Sequence, residues 1–221
     1  MSNNKVILVT GGAGYIGSHA CVELLQADYD VVVIDNLSNS KTESIHRIER
    51  ITGRKIAFYP ADIRDKAALT GIFNRHPIEA VIHFAGLKAV GESCRLPLHY
   101  YQNNIYGSLV LAEAMAEANV KKLVFSSSAT VYGDPDHVPV REDARLQVTN
   151  PYGRTKLVME ELIGDLCRSD AGFHAANLRY FNPVGAHASG LIGEDPTGIP
   201  NNLMPYICQV AVGRRDRLSV F

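Results

Sequence analysis

An α/β fold built on a doubly wound parallel sheet is what this sequence predicts. Short continuous apolar runs recur along the chain, stretches with helical spacing separate them, and a glycine-rich turn joins the first run to the first helical stretch. Strands covered on both faces read as unbroken Val, Ile and Leu, whereas half-exposed strands alternate apolar with polar residues. The runs here are of the first kind, so helices are expected on both sides of the sheet.

Val6-Ile7-Leu8-Val9 is the first strand, followed by the glycine turn and a helix over residues 15–27. Val31-Val32-Val33-Ile34 is the second strand, and later strands are expected at residues 56–59, 80–84, 123–125 and 175–180. Helical stretches lie at 42–51, 66–74, 101–118 and from 151 towards 168. In the third of these, Leu109, Ala112, Met115 and Ala116 form an apolar stripe at helical spacing. Such a stripe ordinarily faces the chain's own core; a helical dimer interface is the alternative use. After Tyr180, Pro183, Gly185, Gly190, Gly193, Pro196, Gly198 and Pro200 punctuate a polar loop ahead of the apolar segment 203–212. That loop either shapes a cleft or links two domains. Residues 213–217 read as a turn-like basic segment leading into a further strand candidate.

The chain has 221 residues, 46% of them hydrophobic, enough for one substantial core and the beginning of a second domain. The formal net charge of -1 gives no reason to expect a nucleic-acid surface or an anionic membrane partner. Residues 1–10 lack the hydrophobic region of a secretory signal, and no run reaches the length of a membrane span. A soluble, intracellular, cytoplasmic protein is expected. Cys21, Cys94, Cys167 and Cys208 are isolated and show no Cys-x-x-Cys spacing, so reduced thiols are expected, with neither a disulfide framework nor a metal site.

The turn reads Gly11-Gly12-Ala13-Gly14-Tyr15-Ile16-Gly17, with Gly-x-x-Gly-x-x-Gly spacing through Gly11, Gly14 and Gly17. Small residues there permit a tight turn and close approach of a pyrophosphate, while the following helix offers amide donors and a positive end. Its place between a strand and a helix favours a dinucleotide site over an ordinary turn. Asp35 follows the second strand, where a carboxylate accepts ribose hydroxyls and repels the extra phosphate of NADP; this favours NAD. Taken alone, Asp35 could equally cap a turn. Asp62, after the third strand, meets an adenine edge or closes a turn.

Ser126-Ser127-Ser128 follows the fifth run and places a hydroxyl at the end of the sheet where ligands bind, although strand-end serines also cap helices. Tyr152 and Lys156, four residues apart, share a helical face. A neighbouring ammonium favours tyrosinate, so Tyr152 is the candidate acid/base, Lys156 its electrostatic and cofactor-positioning partner, and Ser128 the hydroxyl that orients a substrate oxygen.

These motifs resemble the extended short-chain dehydrogenase/reductase family and, within it, the UDP-glucose (UDP-galactose) 4-epimerases. The resemblance runs through residues 11–17, His83-Phe84-Ala85-Gly86-Leu87-Lys88-Ala89-Val90-Gly91-Glu92-Ser93, residues 126–133 and 152–156, Arg179-Tyr180-Phe181-Asn182-Pro183-Val184-Gly185-Ala186, and residues 198–215. It implies a Rossmann-like NAD-binding domain over residues 1–180, with substrate-binding loops and a partial, smaller C-terminal domain over 181–221. NAD contacts are implied at Gly11, Gly14, Tyr15, Ile16, Gly17, Asp35, Asn36, Asp62, Ile63, Phe84, Ala85, Lys88, Asn103, Tyr152, Lys156 and Tyr180. Nucleotide-sugar contacts are implied at Lys88, Ser128, Tyr152, Asn182, Asn202, Leu203 and Phe221. Read alone, Lys88 could solvate a loop, Asn182 cap a turn, and Phe221 pack into the core.

The family mechanism implies that Tyr152 takes the proton from the sugar O4 while hydride moves from C4 to NAD. The resulting 4-keto sugar turns over and receives hydride on its other face, interconverting UDP-glucose and UDP-galactose in galactose metabolism. The resemblance further implies a homodimer through residues 101–118 and 152–168. Family chains continue beyond Phe221, which marks this chain as truncated. A nucleotide-sugar dehydratase is the nearest rival, but dehydratases carry an acidic pair where Ser128-Ala129-Thr130 stands here. A UDP-N-acetylhexosamine epimerase and a silent NAD-binding fragment remain alternatives.

Overall fold

In strand β1 (Val6–Thr10) successive side chains point to opposite faces, and all five are buried. Val6 and Leu8 enter one apolar cluster with Val32, Ile34, Val81 and Phe125, whereas Ile7 and Val9 enter a second with Val31, Val33, Ile45 and Ile48. A strand apolar on both faces has to be covered twice, and the chain supplies that cover.

The computed structural model describes residues 5–196 and 202–219. β1 is joined by β2 (Asp30–Ile34), β3 (Ala57–Tyr59), β4 (Ile78–His83), β5 (Lys122–Ser128) and β6 (His174–Tyr180) in one six-stranded sheet of order β3-β2-β1-β4-β5-β6. Every pairing is parallel. The helices are α1 (Tyr15–Gln26), α2 (Glu43–Thr52), α3 (Lys66–Arg75), α4 (Val90–Arg95), α5 (Pro97–Tyr100), α6 (Gly107–Glu117), α7 (Pro151–Ser169) and α8 (Leu203–Ala211). Their ends follow local chemistry. Asp65 accepts the Ala68 amide at the start of α3, Asn150 accepts the Gly153 amide ahead of Pro151 in α7, and Gly53 closes α2 in the left-handed region.

The expected strands and helices are present, with three differences. The stretch expected as one helix over 101–118 begins instead as a π-helical turn, Tyr101–Tyr106, which continues into α6. The buried face of α6 is Val110, Leu111, Ala114 and Met115, whereas Leu109 is 38% exposed and Ala116 is also exposed. The expected stripe was therefore out of phase, because α6 is apolar nearly all round. The strand candidate after residue 217 is also unrealised among the described residues: 213–219 form turns and irregular chain.

Helix α7 is tied to the sheet by charge as well as packing. Glu160 is buried and takes Arg179 of β6 through paired contacts, with Nη2 to Oε2 at 2.7 Å and Nε to Oε1 at 3.0 Å. Ser127 of β5 donates to the same carboxylate, and Arg179 also donates to the Tyr132 hydroxyl at 2.8 Å. Removing one partner of a buried pair strands the other. Glu160→Ala should therefore lower the unfolding free energy by about 3 kcal/mol, read as the shift in urea midpoint. A change below about 0.5 kcal/mol would show that packing alone holds α7 in place.

Candidate active site

Where the strand order reverses, between β1 and β4, the two crossovers leave in opposite directions and open a crevice at the C-terminal ends of the strands. A cleft of about 1370 Å³ lies there. Its floor is the glycine turn. Gly11 has φ +69°, and a Cβ on it would sit 2.6 Å from the Ala85 amide nitrogen; a Cβ on Gly17 would overlap the Gly11 carbonyl oxygen. Gly14 precedes α1 as its N-cap and supplies no side-chain cap, so the first-turn amides remain available to an anion. Tyr15 and Ile16 line the cleft beside these glycines, and the Tyr15 hydroxyl donates to the Gly185 carbonyl at 2.7 Å.

Asp35, at the end of β2, is buried in the cleft wall. It accepts the Ala13 amide at 3.0 Å, the Leu37 amide at 2.8 Å and the Ser40 hydroxyl at 2.9 Å. It therefore does both things the sequence left open: it braces turns and presents a carboxylate to the cleft. Asn36 and Ile63 also line the cleft, but Asp62 does not. The Asp62 carboxylate accepts both Arg64, at 2.9 and 2.8 Å, and the Asn36 amide at 2.9 Å. These bonds, Arg64 foremost, hold it well below the usual carboxylate range. A cleared turn, an uncapped helix start and a carboxylate on the next strand make a donor and acceptor set that fits NAD.

On the other side of the reversal, Phe84 and Ala85 leave β4 pinned to β1, since their amides donate to the Thr10 carbonyl and hydroxyl at 3.0 and 3.3 Å. The loop beyond them is held by Asn104, a residue that sequence reasoning missed. Its side-chain oxygen accepts the Leu87 amide at 2.8 Å and the Asn103 side chain at 3.0 Å, while its nitrogen donates to Leu87 O and Thr155 Oγ1. Asn103 and Asn104 both lie in the π-helical turn. Such a bulge re-aims side chains away from the helical register and is frequent at functional sites. The adjacent pair Asn103-Asn104 inside a helical stretch, where asparagine is disfavoured, was the available signal.

β5 runs through all three serines, and Glu160 claims Ser127, which singles out Ser128. Ser128 Oγ accepts the Thr130 amide at 3.2 Å and the Thr130 hydroxyl at 3.0 Å, and it lines the cleft together with Tyr152. Tyr152 sits in the first turn of α7, its amide donating to Ser93 Oγ at 3.1 Å. Ser93 was also missed; it satisfies an amide that the helix start leaves unpaired. Lys156, one turn on, donates to the Ser126 carbonyl at 2.7 Å and lies 4.9 Å from the Phe125 ring centre and 5.9 Å from that of Tyr152.

Burial raises the Tyr152 phenol, with the Ser128 hydrogen bond opposing it, and burial lowers the Lys156 ammonium to about 8. Among the protein's own groups, then, desolvation decides the phenol's direction, and the pull of Lys156 towards tyrosinate that the sequence suggested is not among its causes. Tyr180 closes β6 in the cleft wall, its phenol also raised by burial. Asn182 is exposed at the rim. Lys88 lines the cleft and pairs with Glu194 at 3.0 Å; Asn202 donates to the same carboxylate at 2.6 Å. Leu203 begins α8 outside the cleft, 61% exposed. Phe221 lies outside the described residues.

A family model described as the NAD dependent epimerase/dehydratase family matches residues 7–220. The chain belongs to that family. The UDP-glucose 4-epimerase of Bacillus subtilis is 61% identical over 215 residues, covering 97% of this chain and 63% of that protein. The UDP-glucose 4-epimerase of Dictyostelium discoideum is 62% identical, with 97% and 62% covered. A Stenotrophomonas maltophila UDP-glucose-4-epimerase, solved with NAD and formylated UDP-arabinopyranose, superposes with TM-score 0.95 at 56% identity over 99% of this chain and 65% of that one. The Bifidobacterium longum enzyme, solved with NAD+ and UDP, gives TM-score 0.94 at 51% identity, covering 96% and 63%. The chain thus spans about 63% of the length of the relatives it matches.

In this member of the epimerase/dehydratase family the buried ammonium is a measurable liability. Lys156 holds its proton less tightly folded than unfolded, so the cost is full below about pH 8 and gone above the ordinary lysine range. Lys156→Met removes the charge and keeps the length. It should raise stability by ~1–2 kcal/mol near pH 6.5, after the lost Ser126 hydrogen bond is set against it, and bring no gain near pH 10.5. Urea midpoints of both proteins at the two pH values check this; an equal effect at both would mean that the ammonium carries no burial cost.

Proposed function

We propose that the protein carrying this chain inverts the C4 hydroxyl of a UDP-hexose, interconverting UDP-glucose and UDP-galactose, and that its cofactor is NAD. The observation that carries this reading is the meeting of Ser128, Tyr152 and Lys156 in one cleft with the glycine turn and Asp35, at the C-terminal end of the sheet. The names of relatives at about 60% identity support it, as does the absence of an acidic pair in Ser128-Ala129-Thr130.

When bound, NAD supplies a reversible hydride acceptor and a positively charged ring, which favours tyrosinate in a nearby phenol. The chain's own residues do the rest. The uncapped start of α1 binds the pyrophosphate, and Asp35 receives ribose hydroxyls and rejects a 2′-phosphate. Tyr152 Oη takes the proton from the sugar O4 and later returns it. Ser128 donates to that oxygen and holds it at the phenol, and the Lys156 ammonium stabilises the phenolate. Gly11, Gly14, Tyr15, Ile16, Gly17, Asn36, Ile63, Phe84, Ala85, Lys88, Asn103 and Tyr180 complete the cofactor set, with Asp62 acting through its bond to Asn36. Asn182, Asn202, Leu203 and Phe221 complete the sugar-nucleotide set, so residues 1–180 form the cofactor domain and 181–221 begin the substrate domain.

No helix among the described residues is long and apolar enough to cross a membrane; a cytoplasmic location in galactose metabolism is part of the proposal. So is a homodimer through the helices at 101–118 and 152–168, supported by Tyr106 and Leu109, which are 50% and 38% exposed.

The test is an exchange assay with UDP-galactose on the full-length protein, with mass-spectrometric identification of bound dinucleotide. Conversion to UDP-glucose with NAD bound is expected. Tyr152→Phe should retain the dinucleotide and lose ~10³-fold in turnover. A full-length protein that holds NAD but does not exchange the two sugars refutes the assignment.

A further inference from the structure

Residues 185–196 follow β6 yet run back over the cofactor side of the cleft. Gly185 receives the Tyr15 hydroxyl beside the glycine turn at 2.7 Å, Arg47 of α2 donates to the Leu191 carbonyl at 2.9 Å, and Asp195 pairs with Lys41 at 2.6 Å. Ile192 is buried in the cluster that holds Ile45 and Ile48 of α2. These contacts anchor the segment on the β2 side of the crevice. Glu194 then reaches across. Its side chain is 11% exposed, and its Oε1 accepts Lys88 Nζ, from the loop after β4, at 3.0 Å and Asn202 Nδ2, just ahead of α8, at 2.6 Å. One carboxylate oxygen thus joins the loop after β4 to the start of α8, 106 positions away on one side and eight on the other.

We propose that Glu194 is a latch: it ties the 185–196 segment across the mouth of the cleft and retains the dinucleotide through turnover. The proposal rests on the NAD reading above. The covalent chain cannot retain a cofactor that binds in an open crevice; retention needs a contact that must break before the ligand leaves. A charge-assisted hydrogen bond from a half-exposed lysine onto a largely buried carboxylate is such a contact, because its net worth exceeds that of a neutral pair. Sharing the acceptor also links the two ends of the site: Lys88 stands among the cofactor residues and Asn202 among the sugar-nucleotide residues. Glu194 is a positioning residue, and nothing requires it to touch a reacting atom.

The experiment measures release of bound NAD from the full-length protein by dilution into excess labelled NAD, for wild type and Glu194→Gln. Glutamine keeps the side-chain length and an acceptor for Asn202 but removes the charge facing Lys88. Release about tenfold faster is expected, the loss of one charge-assisted bond, with the melting temperature of the NAD-free protein unchanged. Unchanged release overturns the latch. Slower release also overturns it, and would mark a carboxylate that competes with the ligand for Lys88. Faster release with an equal loss of stability in the NAD-free protein overturns it too, making Glu194 part of the fold. A wild-type protein that holds no dinucleotide defeats the NAD reading instead, which separates the two failures.

Discussion

A side chain cannot exist at position 11, and most of the cleft follows from that. The Gly11 backbone lies so close to Ala85 that a Cβ would come within 2.6 Å of its amide nitrogen, which brings the turn after β1 against the loop after β4 where the strand order reverses. Hydrogen bonds reinforce the approach. Thr10 Oγ1 lies 2.6 Å from His83 Nδ1, His83 Nε2 lies 2.7 Å from Ser108 Oγ, and Ser108 donates to the Asn104 carbonyl at 2.5 Å. Since Ser108 spends its proton on Asn104, His83 donates from Nε2 and accepts the Thr10 hydroxyl at Nδ1. The ring is neutral: burial, with the Lys156 charge adding to it, lowers His83 to about 3. From Gly11 to the Leu87 backbone, the cofactor wall is one connected piece.

That connectedness divides what could be read in the chain from what could not. The strands were legible because each is a local apolar run, and the site at Gly11, Gly14, Gly17 and Asp35 because its spacing is set within one βαβ unit. Tyr152 and Lys156 were legible because helical periodicity puts them on one face. Asn104, Ser93 and Glu194 were not, because each acts on residues distant in sequence; Glu194 meets Lys88 across 106 positions. The phase of α6 failed for a different reason. With Leu109, Val110, Leu111, Ala112, Ala114, Met115 and Ala116 distributed around it, the pattern distinguishes helix from strand but not inside from outside. The π-helical turn compounds this by displacing the register of everything after it.

The family assignment and the geometry answer different questions. The match over residues 7–220 establishes the chain's membership, and dehydratases and epimerases share the scaffold named there. What separates the chemistries is local: which groups around the reacting sugar move protons. Here the residues after Ser128 are Ala129 and Thr130, and Thr130 is spent on the Ser128 hydroxyl. On the reading proposed above, that leaves the Tyr152 phenol as proton carrier beside the Ser128 hydroxyl, which suits a reaction that removes and restores a single proton at a single oxygen.

The treatment of buried charge separates fold from site. Glu160 is buried and answered by Arg179, so its desolvation is offset within the protein. Asp35 is buried and answered by two backbone amides and a hydroxyl. Lys156 is buried with a backbone carbonyl and an aromatic face, and among the described residues no carboxylate pairs with it. A sequence selected for stability alone would place an apolar side chain or a counter-ion there. Burial therefore drives both Lys156 and Tyr152 towards their neutral forms; on the proposed reading proton abstraction needs the opposite, and the bound cofactor's charge supplies the difference. That uncompensated ammonium stands among hydrogen-bonded neighbours, with Asn104 bonded to Thr155 on α7 and Glu160 of α7 bonded to Ser127 on β5. Rigid neighbours around an uncompensated charge are what a site needs if binding, and not rearrangement, is to complete it.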